Sequence, residues 1–362
     1  MQTFSNKRAF IVVLAVIAVM VVGLVAGCGG SSPAPAKTKG KVVLLSWGGS
    51  VEKTLFQMGM AEKFKQETGY EVELVPKSDS TAIVQQALAQ KDKPQVDVVM
   101  CDAGAMISGT KAGIWVPLDG AKIPNMDKVL PISKHGDLLY VYYVLTGIVY
   151  DKDAFAKMNW KAPTSLEDMF NEQFKGKIAF DHFPSSYAEA NLLTWAEQGG
   201  GGYENIQPGF DKLAKLAPNI YEFSPNVSTM QNWMINGDIY AAIYSNTMLK
   251  QVRKAGINAA FVIPKEGAYV EPTAVAIMKN GPNPEGAAAL INFILSEAYQ
   301  QNRYDEFSNI PANKNVKLDP EGGITWDALA KAKFFDYEKL PKYRPAWVDK
   351  FNAEIVPIPK NF

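Results

Sequence analysis

The chain has 362 residues, of which 37 are basic and 37 acidic, so its formal net charge is zero and its length suits two domains of about 100–200 residues. A nucleic-acid-binding protein normally has a basic surplus, so this balance excludes a nucleic-acid partner. With only two cysteines and two histidines, the sequence predicts no metal cluster, no disulfide scaffold and no cofactor.

Residues 1–27 have the pattern of an export signal. Lys7 and Arg8 are followed by an uncharged apolar run over residues 9–26, which is typical of a secretory signal peptide. The Leu-Val-Ala-Gly-Cys ending resembles the bacterial lipoprotein box, and this resemblance implies cleavage before Cys28 and a diacylglycerol on its sulfur. The alternative is an uncleaved membrane anchor, because 18 apolar residues are just enough to cross a bilayer.

Residues 28–40 are rich in glycine, serine, proline and alanine, a composition that predicts a flexible tether. We therefore expect an exported protein, held by lipid at the periplasmic side or the outer surface of a bacterial membrane. The second cysteine, Cys101, stands in a run of valine and methionine and is expected to be a buried apolar residue.

Strands and helices alternate in the first part of the mature chain. The pattern predicts strands at 41–46, 70–76 and 96–101, a helix over 51–68, a helix from a cap at Asp79 or Ser80 to about 90, and a short helix to 113. This βαβαβ order indicates the α/β class, with an open parallel sheet and right-handed crossovers.

A second alternating block follows Gly147. Its predicted strands are 148–151, 177–180, 240–244, 259–263 and 273–278, and its predicted helices are 165–170, 187–198, 208–216, 227–236, 248–255 and 284–296.

Polar and glycine residues follow several of the predicted strands. In open α/β sheets, ligands bind beyond the carboxyl ends of the strands. The candidate ligand-binding residues at these ends are Trp47, Gly48, Gly49, Ser50, Asp102, Asp181, Ser185, Ser186, Tyr244, Ser245 and Asn246. Turn, cap or strand roles remain open for all except Trp47, which has little core to enter from a glycine-flanked loop.

No catalytic motif was found in the sequence. It contains no Gly-x-Ser-x-Gly elbow, no phosphate-binding loop and no Gly-x-Gly-x-x-Gly fingerprint. His135 and His182 have no partner at metal-ligand spacing. These absences disfavour an enzyme and favour a protein that binds a ligand and releases it unchanged.

Several short motifs occur together in a characteristic order. They are Trp47-Gly48-Gly49, the segment 64–72, Val96-Asp97-Val98-Val99, the segment 147–153, Asn236-Gly237-Asp238, the segment 263–267 and the segment 284–288. In this order the chain resembles bacterial solute-binding lipoproteins of ABC importers, in the group that contains spermidine/putrescine, ferric-iron and phosphonate binders.

The resemblance implies a type II periplasmic-binding-protein-like fold, in which two α/β lobes close over one ligand. The crossover strands would lie near 145–150 and 262–274. Lobe 1 would be residues 41–144 plus about 270–325, and lobe 2 residues 145–269, with a C-terminal tail of 326–362 packing back across. The expected partners are a small-molecule ligand and the transmembrane subunits of the permease, and the protein is expected to be a monomer.

The resemblance implies a polyamine such as spermidine or putrescine, because Trp47, Asp181, Tyr269 and Glu271 fall where that family places its ligand-binding groups. The departures leave alternatives open. Ser185 and Ser186 replace an acidic residue, which suits a carboxylate or phosphonate. Consecutive tyrosines typical of the iron binders are missing near Tyr244. An exported enzyme or a sensory lipoprotein on the same fold remains an alternative from another class.

Overall fold

A computed structural model describes residues 38–319 and 322–360 of the chain. The predicted signal peptide, the lipidation at Cys28 and most of the tether lie outside these residues. The strands are β1 Gly40–Trp47, β2 Tyr70–Lys77, β3 Val98–Asp102, β4 Trp115–Val116, β5 Lys134–His135, β6 Leu138–Asp151, β7 Ile178–Asp181, β8 Ile220–Ser224, β9 Ala241–Ser245, β10 Ala259–Val262, β11 Tyr269–Met278, β12 Ile310–Pro311 and β13 Lys333–Phe334.

The helices alternate with these strands, as the sequence predicts. They are α1 Ser50–Glu52, α2 Met60–Thr68, α3 Ser80–Ala89, α4 Ala103–Lys111, α5 Lys152–Lys157, α6 Ser186–Gln198, α7 Gln207–Leu216, α8 Val227–Asn236, α9 Leu249–Lys254, α10 Pro284–Ile294, α11 Glu297–Phe307, α12 Trp326–Lys331 and α13 Leu340–Lys350.

The main strands are hydrogen-bonded in the order β2-β1-β3-β11-β6-β9-β7-β8. β1 pairs in parallel with β2 and β3, and β7 pairs in parallel with β8 and β9, as a βαβ sequence requires. β11 is antiparallel to both β3 and β6. The sheet is therefore mixed, which corrects the expectation of a purely parallel one, because the chain returns to its centre through β6 and β11.

Strand β6 changes partners along its length. Its residues 139–145 pair with β11 and its residues 146–150 pair with β9. A Cβ at Gly147 would lie 2.4 Å from the carbonyl oxygen of Val262, so this close approach of two strands requires glycine. The change of partner falls inside the predicted crossover at 145–150. We call the β1–β5 side the first half of the sheet and the β7–β10 side the second half; the predicted lobe boundaries stay a prediction.

The predicted helix over 51–68 is interrupted. After α1, residues 53–57 form one π-helical stretch, and α2 begins only at Met60. The cause is Gly59, whose φ of +74° is left-handed and cannot continue a helix. The predicted cap at the other end is confirmed, because Gly69 ends α2 with a φ of +79°.

The C-terminal segment from α12 to residue 360, hereafter the tail, contacts both halves of the sheet. The ring of Phe351 lies 5.5 Å from that of Phe183, which follows β7, and Trp347 is buried in the same cluster. Tyr337 packs against Gly104 at the start of α4. Cys101 is buried and forms no disulfide within the described residues, as predicted.

Within residues 38–319 and 322–360, none of the helices combines the length and the apolar character needed to cross a membrane.

Candidate functional site

A cavity of about 640 Å³ lies at the ends of β1 and β3, beside β11 and the start of α6. Its wall contains five of the residues predicted from sequence, namely Trp47, Asp102, Ser185, Ser186 and Glu271. Trp47 and Asp102 are the last residues of β1 and β3. Because parallel strands end at the same edge of a sheet, these two side chains meet there although 55 positions separate their numbers in the chain.

Two carboxylates, Asp102 and Glu271, face this cavity. Burial raises the pKa of Glu271, and the nearby charge of Asp102 raises it further. Burial also raises the pKa of Asp102, opposed by a hydrogen bond of 2.6 Å that the Ser80 hydroxyl donates to its Oδ2. Desolvation disfavours the ionised form of each carboxyl group, and the negative charge of one disfavours the ionisation of the other. A cation between them would relieve both penalties, so the geometry favours a positively charged ligand.

The aromatic part of the wall comes from both ends of the chain. Trp47 is half-buried at the end of β1, while Phe335 and Tyr337 belong to the tail. Phe335 packs on Tyr269 with ring centroids 4.9 Å apart. The buried hydroxyl of Tyr337 has no hydrogen-bond partner among the described residues. Such rings provide flat apolar surface for methylene groups and a π face for ammonium groups.

Asp181 lies behind the cavity wall. It is 5% exposed, and its carboxylate accepts a hydrogen bond from the hydroxyl of Ser185. Ser185 in turn accepts from the backbone N–H of Ala188 and so caps α6. Burial raises the pKa of Asp181 to about 6, although the Ser185 hydrogen bond opposes the shift. A hydroxyl has a single proton to donate, and Ser185 donates it to Asp181. Ser185 therefore cannot donate a hydrogen bond to a ligand at the same time.

Arg344 of α13 completes the polar wall. Its Nε and Nη2 donate hydrogen bonds of 2.5 and 2.7 Å to the two carboxylate oxygens of Glu189. The Glu189 side chain is fully buried in α6, whereas that of Arg344 is 41% exposed. The pair therefore ties the tail to α6 beside Ser186.

The glycine turn after Trp47 takes structural roles in the described chain. Gly48 and Gly49 form the turn into α1, with a φ of +53° at Gly49. The carbonyl oxygen of Ser50 accepts a hydrogen bond of 2.7 Å from Arg303. None of the three is in the cavity wall, and their ligand-binding roles stay predictions.

The segment after β9 and the ring of Tyr269 are also directed elsewhere. Tyr244 packs on Tyr187 with ring centroids 4.6 Å apart, and Ser245 shares a 2.8 Å hydrogen bond with Thr247. The side chain of Asn246 accepts from the N–H of Leu145 and donates to the carbonyl oxygen of Ser308. The Tyr269 hydroxyl donates to Glu197. These residues fix the elements around the cavity without lining it.

The sequence did not predict the wall residues that come from the tail, the α3 region, the start of α4 and Pro184. They are Ser78, Asp79, Ser80, Thr81, Gly104, Ala105, Pro184, Phe335, Tyr337, Leu340, Pro341 and Arg344. The one available signal was the aromatic run at 334–337, which has no counterpart elsewhere in the tail. Within the described residues no group of three histidine, cysteine or acidic side chains is placed to hold a metal ion.

Residues 59–332 match the family model described as bacterial extracellular solute-binding protein. The chain belongs to this family. As a solute-binding protein it captures a small solute, so the predicted receptor role in an ABC transporter and the predicted fold are confirmed.

Curated relatives of this solute-binding protein bind polyamines, by their names. It is 25% identical over 245 residues to the spermidine/putrescine-binding periplasmic protein of Escherichia coli (strain K12), which covers 66% of this chain and 69% of the relative. It is 26% identical over 302 residues to the putrescine-binding periplasmic protein PotF of the same organism, covering 75% and 80%.

Solved structures agree on the fold. An ABC transporter structure from Clostridium perfringens ATCC 13124 matches this solute-binding protein with a TM-score of 0.69 at 26% identity, covering 87% of this chain and 99% of the other. The substrate-binding protein PotD from Streptococcus pneumoniae, solved with calcium and HEPES, matches with a TM-score of 0.70 at 20% identity, covering 87% and 99%.

Proposed function

We propose that the protein binds a small polyamine with at least two protonated amines and delivers it unchanged to the transmembrane subunits of an ABC importer. The observation that carries this proposal is the pair of carboxylates, Asp102 and Glu271, in one cavity with aromatic walls. The names of the curated relatives support the same ligand class.

The free energies of the contacts that this cavity can make favour a cation with a hydrocarbon chain. A hydrogen bond between an ammonium group and a carboxylate stabilises a complex by about 1.5–3 kcal/mol. Contact of the cation with an aromatic face adds about 0.5–2 kcal/mol. Two such ends, joined by methylene groups that lie against Trp47, Phe335 and Tyr337, contribute about 4–10 kcal/mol, a range that includes the roughly 8 kcal/mol of micromolar binding.

A small organic anion is the competing ligand class. The paired hydroxyls of Ser185 and Ser186 favoured an anion at the level of sequence, but the hydroxyl of Ser185 donates its proton to Asp181. An anion in the cavity would also face Asp102 and Glu271 and would pay for contact with both. Among the described residues Arg344 is the one cation in the wall, and its charge is already paired with Glu189.

We propose that the two halves of the sheet belong to two lobes that close over the ligand by bending at β6 and β11. The change of partner at residues 145–146 supports a bend at this place, because hinges absorb motion in a few backbone torsions. A smaller radius of gyration in solution scattering with putrescine than without it is expected. Identical curves with and without every amine tested would contradict the closure.

The anchor and the state of assembly are further parts of this proposal. We propose that Cys28 is lipidated and that the protein acts as a monomer outside the cytoplasmic membrane. Metabolic labelling with a fatty acid should mark the wild-type protein and leave Cys28→Ser unmarked. Labelling of the Cys28→Ser variant would contradict the lipidation of Cys28. A dimer mass in light scattering would contradict the monomeric state.

The ligand is tested by calorimetry and thermal denaturation of the mature protein with putrescine, spermidine, a carboxylate and a phosphonate. A ligand present at about 100 times its dissociation constant stabilises a protein by about 2.7 kcal/mol. We expect both amines to stabilise the protein, and Asp102→Asn and Glu271→Gln each to weaken binding by tenfold or more, on the order of 1.4 kcal/mol. Glu62→Gln, at an exposed position in α2, is the matched control. Stabilisation by anions alone, or turnover of any bound compound, would contradict the proposal.

A further inference from the structure

The ion pair of Glu189 and Arg344 lies within electrostatic reach of the cavity carboxylates. Arg344 lowers the pKa of Glu271, whereas Glu189 raises it. The charge of Glu271 also helps to raise the pKa of Arg344, after the larger effect of Glu189. The four side chains of Asp102, Glu271, Glu189 and Arg344 therefore form one charge cluster around the ligand site.

The charges of this cluster do not cancel. Arg344 neutralises Glu189 through two hydrogen bonds, and Asp102 and Glu271 remain. A further carboxylate of the wall, Asp79, is exposed and caps α3 by accepting from the N–H of Ala82, and solvent and salt screen its effect. Once a cationic ligand has displaced their protons, Asp102 and Glu271 are therefore two negative charges with no cationic partner among the described residues in the desolvated part of the site.

We propose that the Glu189–Arg344 pair sets the number of ammonium groups that the cavity accepts, making a diamine the preferred ligand over a triamine. This inference rests on the proposed function. Arg344 acts here by its charge on the wall, without hydrogen-bonding the amine, because a guanidinium has donors only. With the pair neutral, the remaining negative charges of Asp102 and Glu271 balance two positive charges on the ligand. Without Arg344, the negative charge of Glu189 would be added, and three positive charges would be balanced.

The size of the effect follows from Coulomb's law. For two unit charges about 10 Å apart at an effective dielectric constant of about 20–40, Coulomb's law gives a change in the binding constant of about fourfold to seventeenfold. A triamine such as spermidine carries one more positive charge than a diamine such as putrescine. Changing the pair by one charge should therefore change the ratio of the two affinities by about tenfold.

The experiment measures the putrescine and spermidine dissociation constants of the mature protein and three variants by calorimetry. Arg344→Gln makes the pair negative and should shift the affinity ratio about tenfold toward spermidine. Glu189→Gln makes the pair positive and should shift it about tenfold toward putrescine. The double variant keeps the pair neutral, so its ratio should return to the wild-type value even if both affinities change.

A structural role of the pair predicts a different result. Loosening the tail would weaken both amines in both single variants and would not move the ratio in opposite directions. The Glu204–Lys339 pair also joins the tail to the second half of the sheet, but it is exposed and outside the cavity wall. Glu204→Gln and Lys339→Gln are therefore matched controls that should leave the ratio unchanged.

Three outcomes would overturn the inference. The first is an unchanged ratio in both single variants, and the second is a shift of both in the same direction. The third is tighter binding of 4-aminobutyrate than of putrescine that is lost in Arg344→Gln, since this would mean that Arg344 binds a ligand carboxylate directly. If Arg344→Gln fails to fold, Glu189→Gln decides alone, because glutamine keeps an oxygen that accepts from Arg344.

The failure of the proposed function has its own signature. Wild-type protein that binds neither amine removes that function and this inference together. If the wild type binds both amines and the ratio of the two affinities is the same in the single-charge variants as in the wild type, only this inference fails.

Discussion

The ring of Tyr337 packs directly on the backbone of Gly104, where a Cβ would lie 2.7 Å from ring atom Cδ1. Gly104 is in the first turn of α4, two residues after Asp102. Tyr337 is in the tail and lines the cavity together with Phe335. The contact therefore joins the end of β3, in the first half of the sheet, to the aromatic wall that the tail provides.

Gly104→Ala should displace Tyr337 and weaken ligand binding. Alanine stabilises a helix by up to about 1 kcal/mol relative to glycine. Overpacking of the contact with Tyr337 costs about 1–3 kcal/mol, so we expect a net loss of folding stability. We expect calorimetry to give an amine affinity reduced by about tenfold, on the order of 1.4 kcal/mol. The control is Gly120→Ala, since a Cβ there meets no atom within 4 Å. Unchanged affinity in Gly104→Ala would mean that the ring is not part of the ligand site.

Gly147→Ala should destabilise the whole protein. A Cβ at Gly147 would lie 2.4 Å from the carbonyl oxygen of Val262 and 2.6 Å from the ring of Phe261. Backbone atoms of a packed strand cannot move aside cheaply, so we expect a loss of about 2 kcal/mol or more in the free energy of unfolding. Urea denaturation measures it. A loss under about 0.5 kcal/mol, as for a surface substitution, would show that β6 and β10 are less closely packed.

Amine binding should strengthen as the pH rises. Burial holds the pKa values of Asp102 and Glu271 above their usual range, so part of the free protein carries protonated carboxyl groups near neutral pH. An ammonium ligand binds the ionised forms, and binding must then release protons. We expect calorimetry in buffers of different ionisation enthalpy to detect this release, and the affinity to rise from about pH 5.5 to about pH 8.

The same measurement on Glu271→Gln checks the source of the protons. Glu271→Gln should release fewer protons on amine binding than the wild type does. Glu62→Gln should release as many as the wild type. An affinity that does not change over this pH range in the wild type would contradict the assignment of both carboxylates to the ligand.

Asp181 should make the ligand-free protein less stable at high pH. Burial raises its folded-state pKa from 3.8 to about 6, so the folded state binds the proton more tightly than the unfolded state. The resulting cost appears as the pH rises through 3.8 and is complete above about 6, where it amounts to about 3 kcal/mol at most. Asp181→Asn should therefore be more stable than the wild type at pH 8, and the advantage should vanish near pH 4.

Urea denaturation at the two pH values tests this prediction. Asparagine keeps an oxygen that accepts from Ser185, so the local hydrogen bond is preserved. Asp153→Asn, an exposed position in α5, is the control and should show no such pH-dependent gain. Equal stability of Asp181→Asn and the wild type at pH 8 would mean that Asp181 is better solvated than its position indicates.

Local patterns were enough to place much of the first half of the sheet. The apolar runs predicted β1, β2 and β3 to within two residues, and Asp79 is the cap of α3, as one of the two predicted alternatives had it. These features depend on neighbours in the chain, because alternation, helix period and caps are set by residues three or four positions apart. The prediction of one continuous helix over 51–68 was wrong, because the helical period of the apolar residues does not register the left-handed conformation of Gly59.

The amino-acid sequence by itself determined the family, the strand ends and the presence of acidic and aromatic residues at them, since all of these are written in short segments. Only the tertiary structure decided which of these residues share a cavity. It placed Asp181 behind Ser185 and brought Tyr337 and Arg344 from the tail to Asp102 and Glu271. The physical reason is that such contacts depend on how helices and strands pack, and packing brings together side chains that no local pattern relates.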